Sequence, residues 1–251
     1  MTDILVLARR ALREGIRTPE AIVPTLFIPL FFLVVNVGQA ARIFPGSTTA
    51  FLHGQGYGAF QIPSSMLLAA SFGSAALFLV EDIVDGYFDK LRATPVNRSA
   101  LVLGRLIAEG TKGLLIASLI VALGIAFGIR IASGVLGFFL LIFLTAGWAI
   151  VYSGFMQIIA LKTRSAAATN SAGLVFFPLL FLTPNFVPRN LLTHPMEIAA
   201  TFNPVTYVME AMRSLILQRF HWETIGLGYL VIAVATVFML ALSVRVIRSY
   251  D

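Results

Sequence analysis

Cysteine is absent from the 251-residue sequence, which excludes structural disulfides, thiolate metal sites and a cysteine nucleophile. Charge is scarce: Asp, Glu, Lys and Arg make up 12% of the residues, against about a quarter in a soluble domain of this size. A larger soluble core cannot absorb that deficit, because a folded surface still has to be covered with polar groups. Lipid can. None of the three lysines (Lys90, Lys112 and Lys162) follows a glycine, so the Gly-Lys-Ser/Thr of a phosphate-binding P-loop occurs nowhere. Gly-x-Ser-x-Gly and His-Glu-x-x-His are missing too. The histidines His53, His194 and His221 lack the spacing of a metal pair on a helix. The sequence therefore yields no catalytic residue and no metal ligand, and ion-channel or intramembrane-enzyme readings are remote alternatives. Gln55-Gly56-Tyr57-Gly58 resembles a potassium-channel filter, but Thr-Val does not precede it.

What is present is apolar. Hydrophobic residues reach 58% and the mean hydropathy is +0.90. A spanning helix needs about 20 mainly apolar residues, and the chain offers six such intervals: 21–41, 64–80, 101–128, 135–161, 166–182 and 224–244. Pro45, Gly46, Gly54, Gly56, Gly58 and Pro63 read as loop chemistry ahead of the second. The first is not expected to be a cleaved signal peptide, since Pro24 and Pro29 interrupt it and no small-residue cleavage site follows.

The net charge of +6 serves orientation and attraction to anionic lipid rather than nucleic acid. With six spans, eleven Lys and Arg fall in the two termini and the loops after spans two and four, against five in the opposite loops. Both termini are thus predicted to be cytoplasmic, in a multi-pass protein of the cell membrane. Before the first span, Ile4, Leu5, Ala8, Ala11, Leu12 and Ile16 share one side of a helix, and Arg9, Arg10, Arg13, Glu14 and Arg17 the other. That pattern predicts an amphipathic helix over 1–20 in the cytoplasmic interface; a solvated basic flank is the plain alternative.

Residues 81–98 predict a second amphipathic helix. Ile83, Val84, Tyr87, Phe88 and Leu91 line one face, Asp82, Asp85 and Asp89 the other, with a stop near Pro95 and Ser99 as cap of the next span. Such a face suits a partner protein or, alternatively, a lipid surface. Arg105, Glu109 and Lys112 share a face at i, i+4 and i+7. They fit either a gate along a substrate path or a helix start projecting into the cytoplasm.

Residues 61–105 resemble the membrane subunit of type-2 ATP-binding-cassette (ABC) exporters, a family that includes daunorubicin-resistance permeases and polysaccharide exporters. The resemblance rests on Gly86 and Leu91-Arg92-Ala93-Thr94-Pro95-Val96. A second match lies at Asn203-Pro204-x-Thr206-Tyr207 and Glu210-Ala211-x-Arg213.

The resemblance implies an all-α integral membrane protein, one domain over 1–251. It would have six transmembrane helices, the interfacial helix, a cytoplasmic coupling helix and a re-entrant helical hairpin (183–220) before the last span. It implies coupling to an ATPase through Asp82, Asp85, Gly86, Phe88, Asp89, Leu91 and Pro95. ATP and magnesium would be bound by that separate ATPase subunit, and no cofactor by this chain. A second permease copy or paralogue and membrane lipids complete the expected partners; nucleic acid is not among them.

The expected cargo is a hydrophobic or amphipathic drug or lipid, with a polysaccharide or glycolipid as the alternative. In 183–220, Asn203 is expected to cap a helix that Pro204 begins. Glu210 and Arg213 are expected to pair, and with Tyr207 to form an extracytoplasmic lid; a solvated surface pair is the alternative.

Overall fold

The computed structural model describes residues 2–72, 75–94 and 98–248, and among them all regular structure is helical. The helices are α1 (Thr2–Arg17), α2 (Pro19–Ala40), α3 (Tyr57–Ser71), α4 (Ala75–Val84), α5 (Tyr87–Arg92), α6 (Arg98–Ala126), α7 (Gly134–Thr163), α8 (Ala166–Gly173), α9 (Phe176–Phe181), α10 (His194–Phe202), α11 (Pro204–Leu217) and α12 (Trp222–Arg248). Among the described residues, five runs are long and apolar enough to cross a membrane: Ile22–Ala40, Tyr57–Val84, Ser99–Ala126, Gly134–Thr163 and Trp222–Ile247.

The second of these begins earlier than its prolines and glycines suggest. Gly58 and Pro63, expected in a loop, lie inside α3. Ser99 lies within the first turn of α6 rather than capping it.

The interval 166–182 is not one helix. α8 ends at Gly173, whose carbonyl accepts a hydrogen bond from the Tyr152 hydroxyl at 2.7 Å. Pro178 has no N–H for the Leu174 carbonyl, which accepts instead from Phe177 N at 3.1 Å. The whole of Ala166–Phe181 spans about 24 Å at 1.5 Å per residue, less than a hydrocarbon core.

The core forms around α3, α6, α7 and α11. Val205, Val208, Met209, Met212 and Leu215 of α11 are completely buried, so this short helix is enclosed almost as fully as α3. Ala211 and Gly228 bring α11 and α12 together: a Cβ on Gly228 would sit 2.5 Å from that of Ala211. The two outer spans are the reverse. Only 11% of the apolar window of Ile22–Ala40 and 17% of that of Trp222–Ile247 is buried. Val23, Phe27, Phe31 and Val34 form an exposed stripe on α2, a face for lipid or another chain.

Amphipathic α1 forms as expected, but its packing face is narrower. Ala8, Ala11 and Gly15 are buried, whereas Leu5 and Ile16 are exposed. Small residues win that face because α1 lies almost in contact with α6: a Cβ on Gly104 would fall 2.8 Å from the Leu7 Cβ and 3.1 Å from the Ala8 nitrogen.

At the opposite end of the bundle, Gln55 ties the end of α11 to the α6–α7 loop. Its amide donates to the Ile216 carbonyl at 2.8 Å and its oxygen accepts from Arg130 N at 3.0 Å. Tyr57 and Gly58 already belong to α3, so the filter-like tetrapeptide is a structural tie.

Candidate functional site

At the end of the bundle that carries α1, the chain turns a corner at Gly86. There φ is +70°, a left-handed conformation that glycine adopts without strain. The single amphipathic helix expected over this stretch is therefore two pieces, the end of α4 and the short α5. The corner sends some side chains inward and others outward.

Asp82 turns inward. Its carboxylate accepts from Arg10 Nη2 at 2.7 Å and Nη1 at 3.1 Å, and is also ion-paired with Arg105. The Asp82 and Arg105 side chains are 9% and 7% exposed, so one buried carboxylate joins α1, α4 and α6. The Arg10 guanidinium lies 4.2 Å from the centre of the Tyr87 ring, which adds α5 to the clasp. Burial pulls the Arg10 pKa down, but the hydrogen bond and charge of Asp82 outweigh it and raise it overall. Burial raises the Glu14 carboxyl, against the opposing pull of Arg10 and Arg105.

Phe88 also turns inward, 2% exposed, and with Leu91 meets Leu7, Ala11 and Leu101. It anchors α5 to its own chain. Val84 is 71% exposed, and Tyr87, Asp85, Asp89 and Lys90 are exposed beside it. The expected docking face thus divides: Asp82 and Phe88 hold the corner from within, while Val84, Asp85, Tyr87 and Asp89 face out. Pro95 lies outside the described residues.

Further along α6, Lys112 Nζ is 2.5 Å from the Glu109 carboxylate, and both side chains are largely buried. They border a cavity of about 240 Å³ at the α1–α2 elbow. A separate cavity of about 500 Å³ lies between α2, the α3–α4 region and α8–α9. Leu68, Phe72, Phe78, Phe176 and Phe177 line it, with Glu81 at its edge. Arg105, Glu109 and Lys112 do not line this larger cavity.

At the opposite end, Asn203 caps α11 as its position predicts, accepting from Val205 N at 3.0 Å, and Pro204 fills the first turn. The Asn203 amide also donates to the Leu179 carbonyl at 2.6 Å, tying the cap to α9.

Arg213 does not pair with Glu210. It is buried, donating to the carbonyls of Phe60 at 3.1 Å, Asn185 at 2.9 Å and Pro184, with its guanidinium carbon 3.5 Å from the centre of the Phe60 ring. Glu210 instead takes a bidentate pair from Arg189 at 2.8 and 3.0 Å, and Arg189 also lies 5.2 Å from the Tyr207 ring centre. The reason is burial: α11 packs its Arg213 face into the core, leaving Glu210 and Tyr207 for the loop.

Asn203→Ala is expected to cost about 1 kcal/mol of stability through loss of the cap. The half-exposed Arg189–Glu210 pair should be worth only about 0–1 kcal/mol. Thermal unfolding of Glu210→Ala and Asn203→Ala side by side checks that order; a larger loss in Glu210→Ala would reverse it.

Comparison with known proteins decides the kind of molecule. The family model described as ABC-2 type transporter matches residues 2–217. The chain belongs to the ABC-2 type transporter family. This ABC-2 permease is 23% identical over 244 residues to "Daunorubicin resistance ABC transporter permease protein DrrB1" of Streptomyces coeruleorubidus, covering 96% of this chain and 84% of that protein. It is also 23% identical over 218 residues to "Probable doxorubicin resistance ABC transporter permease protein DrrC" of Mycobacterium tuberculosis, covering 85% and 76%. The ABC-2 permease is thus the membrane subunit of an ABC exporter.

Sequence reasoning missed Arg10 and Arg189 as ion-pair partners. For Arg189 a signal existed, since it is the only Lys or Arg among 183–209 and Glu210 needs a counterion. For Arg10 the signal was fainter: on the helical wheel of α1 it stands near Glu14, towards the packing face rather than at the centre of the basic arc.

Proposed function

We propose that the Gly86 corner is the surface through which a separate ABC ATPase drives this permease. The observation that carries this reading is the division of side chains at the corner. The inward Asp82–Arg10–Arg105 clasp and the Phe88 socket make α1, α4, α5 and α6 respond as one unit. The outward Val84, Asp85, Tyr87 and Asp89 leave an apolar and acidic face for a partner. Hydrolysable ATP and its magnesium belong to that partner, and force enters here as a bias between two packings of the bundle.

The rest of the reading follows from this placement. The chain, 1–251, acts as one transmembrane domain in the cell membrane with both termini cytoplasmic. α1 lies in the cytoplasmic interface with Leu5 and Ile16 toward lipid, and α8–α9 complete a sixth, broken crossing. α10 and α11 form the re-entrant hairpin, which suits helices that bury irregular backbone in protein. Asn203, Pro204, Tyr207 and Glu210 then belong to an outer lid, with Arg213 as its inner anchor. Two permease copies, or this chain and a paralogue, enclose the path, and the exposed α2 stripe is the surface available to lipid and partner.

The cargo is an amphipathic drug. The names of the relatives, daunorubicin and doxorubicin resistance permeases, support that class. So does the 500 Å³ cavity, whose wall is mainly aromatic and aliphatic, with Thr25, Ser71, Asn170 and Glu81 among its polar points.

Stimulation of the co-purified ATPase tests the proposal. Asp85→Lys combined with Asp89→Lys, or Val84→Glu, should reduce substrate-stimulated hydrolysis at least tenfold, as loss of interface anchors does, while thermal stability stays near wild type. Undiminished stimulation in all of these variants would move the docking surface elsewhere.

A further inference from the structure

The cavity at the α1–α2 elbow is not explained by coupling to an ATPase. It is apolar, walled by Ile22, Leu26 and Ile116, and its rim residues Ile16, Leu115 and Leu119 are 48%, 56% and 44% exposed. It therefore opens sideways, toward whatever surrounds the spans. At its polar end sits the Glu109–Lys112 pair, with the two side chains 3% and 13% exposed. A buried pair of this kind is expensive beside lipid, and charges held there usually meet a ligand or a path.

The depth of Lys112 can be set from the sequence. Residues 113–129 carry no charge, and Lys112 and Arg130 close the run at its two ends. Residues 113–126 of α6 cover about 21 Å, and the turn at 127–129 carries the run on toward the far side of a hydrocarbon core about 30 Å thick. Lys112 is thus at the boundary between acyl chains and headgroups. Its side chain lies across the α1 backbone at Gly15, where a Cβ would come within 3.1 Å of its Nζ. The same helix exposes Arg9, Arg13 and Arg17 on the face turned away from α6.

We infer that this cleft is a binding site for an anionic phospholipid of the cytoplasmic leaflet, with one acyl chain in the cavity and the phosphate on Lys112. Two features choose an anion over a cationic amphiphile. An ammonium carries three donors, more than its pairing with the Glu109 carboxylate requires. A cation would first have to take Glu109 from Lys112, and would do so beside a basic helix. Among the described side chains, Glu14 and Glu109 are the acids nearby, and both face Arg10, Arg105 or Lys112 rather than the opening. The inference rests on the cytoplasmic placement of α1 proposed above. A bound lipid would brace the elbow between α1 and α2, and so make the clasp sensitive to membrane composition.

The test uses the full-length permease with its ATPase, delipidated in detergent. Dioleoylphosphatidylglycerol, dioleoylphosphatidylcholine, sodium phosphate and dodecylamine are titrated separately, reading bound lipid by native mass spectrometry and unfolding temperature. Wild type should bind phosphatidylglycerol over phosphatidylcholine by on the order of tenfold, the scale of one charge-assisted contact. Lys112→Gln should lose that preference. The double variant Glu109→Gln with Lys112→Gln, which leaves no lone buried charge, should lose it too, whereas Lys112→Arg should keep it. Leu119→Trp at the rim should weaken lipid binding.

Several outcomes would overturn the inference: equal binding of the two lipids, retention of the preference by the double variant, stabilisation by inorganic phosphate alone, or a response to dodecylamine only. A cysteine introduced at Arg13 that reacts with an impermeant reagent from outside intact cells would instead overturn the orientation on which it rests. The two failures are distinguishable.

Discussion

Asp82→Ala is expected to be the most damaging single substitution at the clasp, lowering stability by about 3–5 kcal/mol and abolishing ATPase stimulation. The reason is asymmetry. The carboxylate is shared by Arg10, whose side chain is 34% exposed, and Arg105, which is 7% exposed. Removing it leaves Arg105 in a site built for its neutralisation, while Arg10 can turn to water. Arg10→Ala should therefore cost much less, since part of its interaction is screened. The double variant Asp82→Ala with Arg105→Leu should recover most of the thermal stability, because the buried Asp82–Arg105 pair is removed as a whole, but not the coupling. Unfolding temperature and ATPase rate, measured on the same preparations, separate the two. A wild-type unfolding temperature in Asp82→Ala would mean the clasp does not hold the helices together.

Arg213→Ala is expected to have the second largest effect, and Arg213→Lys should rescue little of it. The guanidinium donates to three carbonyls on two segments while stacking on Phe60. Gln61 reinforces the same contact, its amide reaching the Asn185 carbonyl at 3.0 Å and the Tyr57 hydroxyl at 2.8 Å. Hydrogen bonds to a charged donor are each worth about 1.5–3 kcal/mol, so losing the set should lower stability by several kcal/mol. Lysine is a point charge on a flexible stem and cannot meet three carbonyls in a fixed fork. Thermal unfolding and transport of both variants decide this; full rescue by lysine would show that charge alone matters there.

The parts of the fold legible in the sequence were those with a simple physical signature. Long, mainly apolar runs located α2, α6, α7 and α12 to within a few residues, because a spanning helix has to be apolar along most of its length. Asn203 and Pro204 were legible because a cap and a first-turn proline act locally. What depends on tertiary partners was not. The run 166–182 is as apolar as a span, and only the Tyr152 hydroxyl waiting at Gly173 and the missing N–H of Pro178 reveal its break.

The same limit explains the site. Spacing placed Asp82 with Asp85 and Asp89, and Phe88 with Val84, but Gly86 interrupts the helix and sends the two sets of side chains to different surroundings. Glu210 and Arg213 are correctly spaced for a pair, yet Arg213 is drawn into backbone carbonyls that no sequence pattern marks.

If the proposed coupling is right, the outward side of the Gly86 corner touches the ATPase. The absence of native cysteine allows the most direct measurement: a photo-reactive crosslinker attached to a single cysteine at Val84 or Tyr87, activated in cells that co-express the ATPase subunit. The account predicts a covalent permease–ATPase product from both positions, whose yield changes when ATP is depleted, and none from the same probe at Ser47. Crosslinking from Ser47 with none from Val84 or Tyr87 would contradict it.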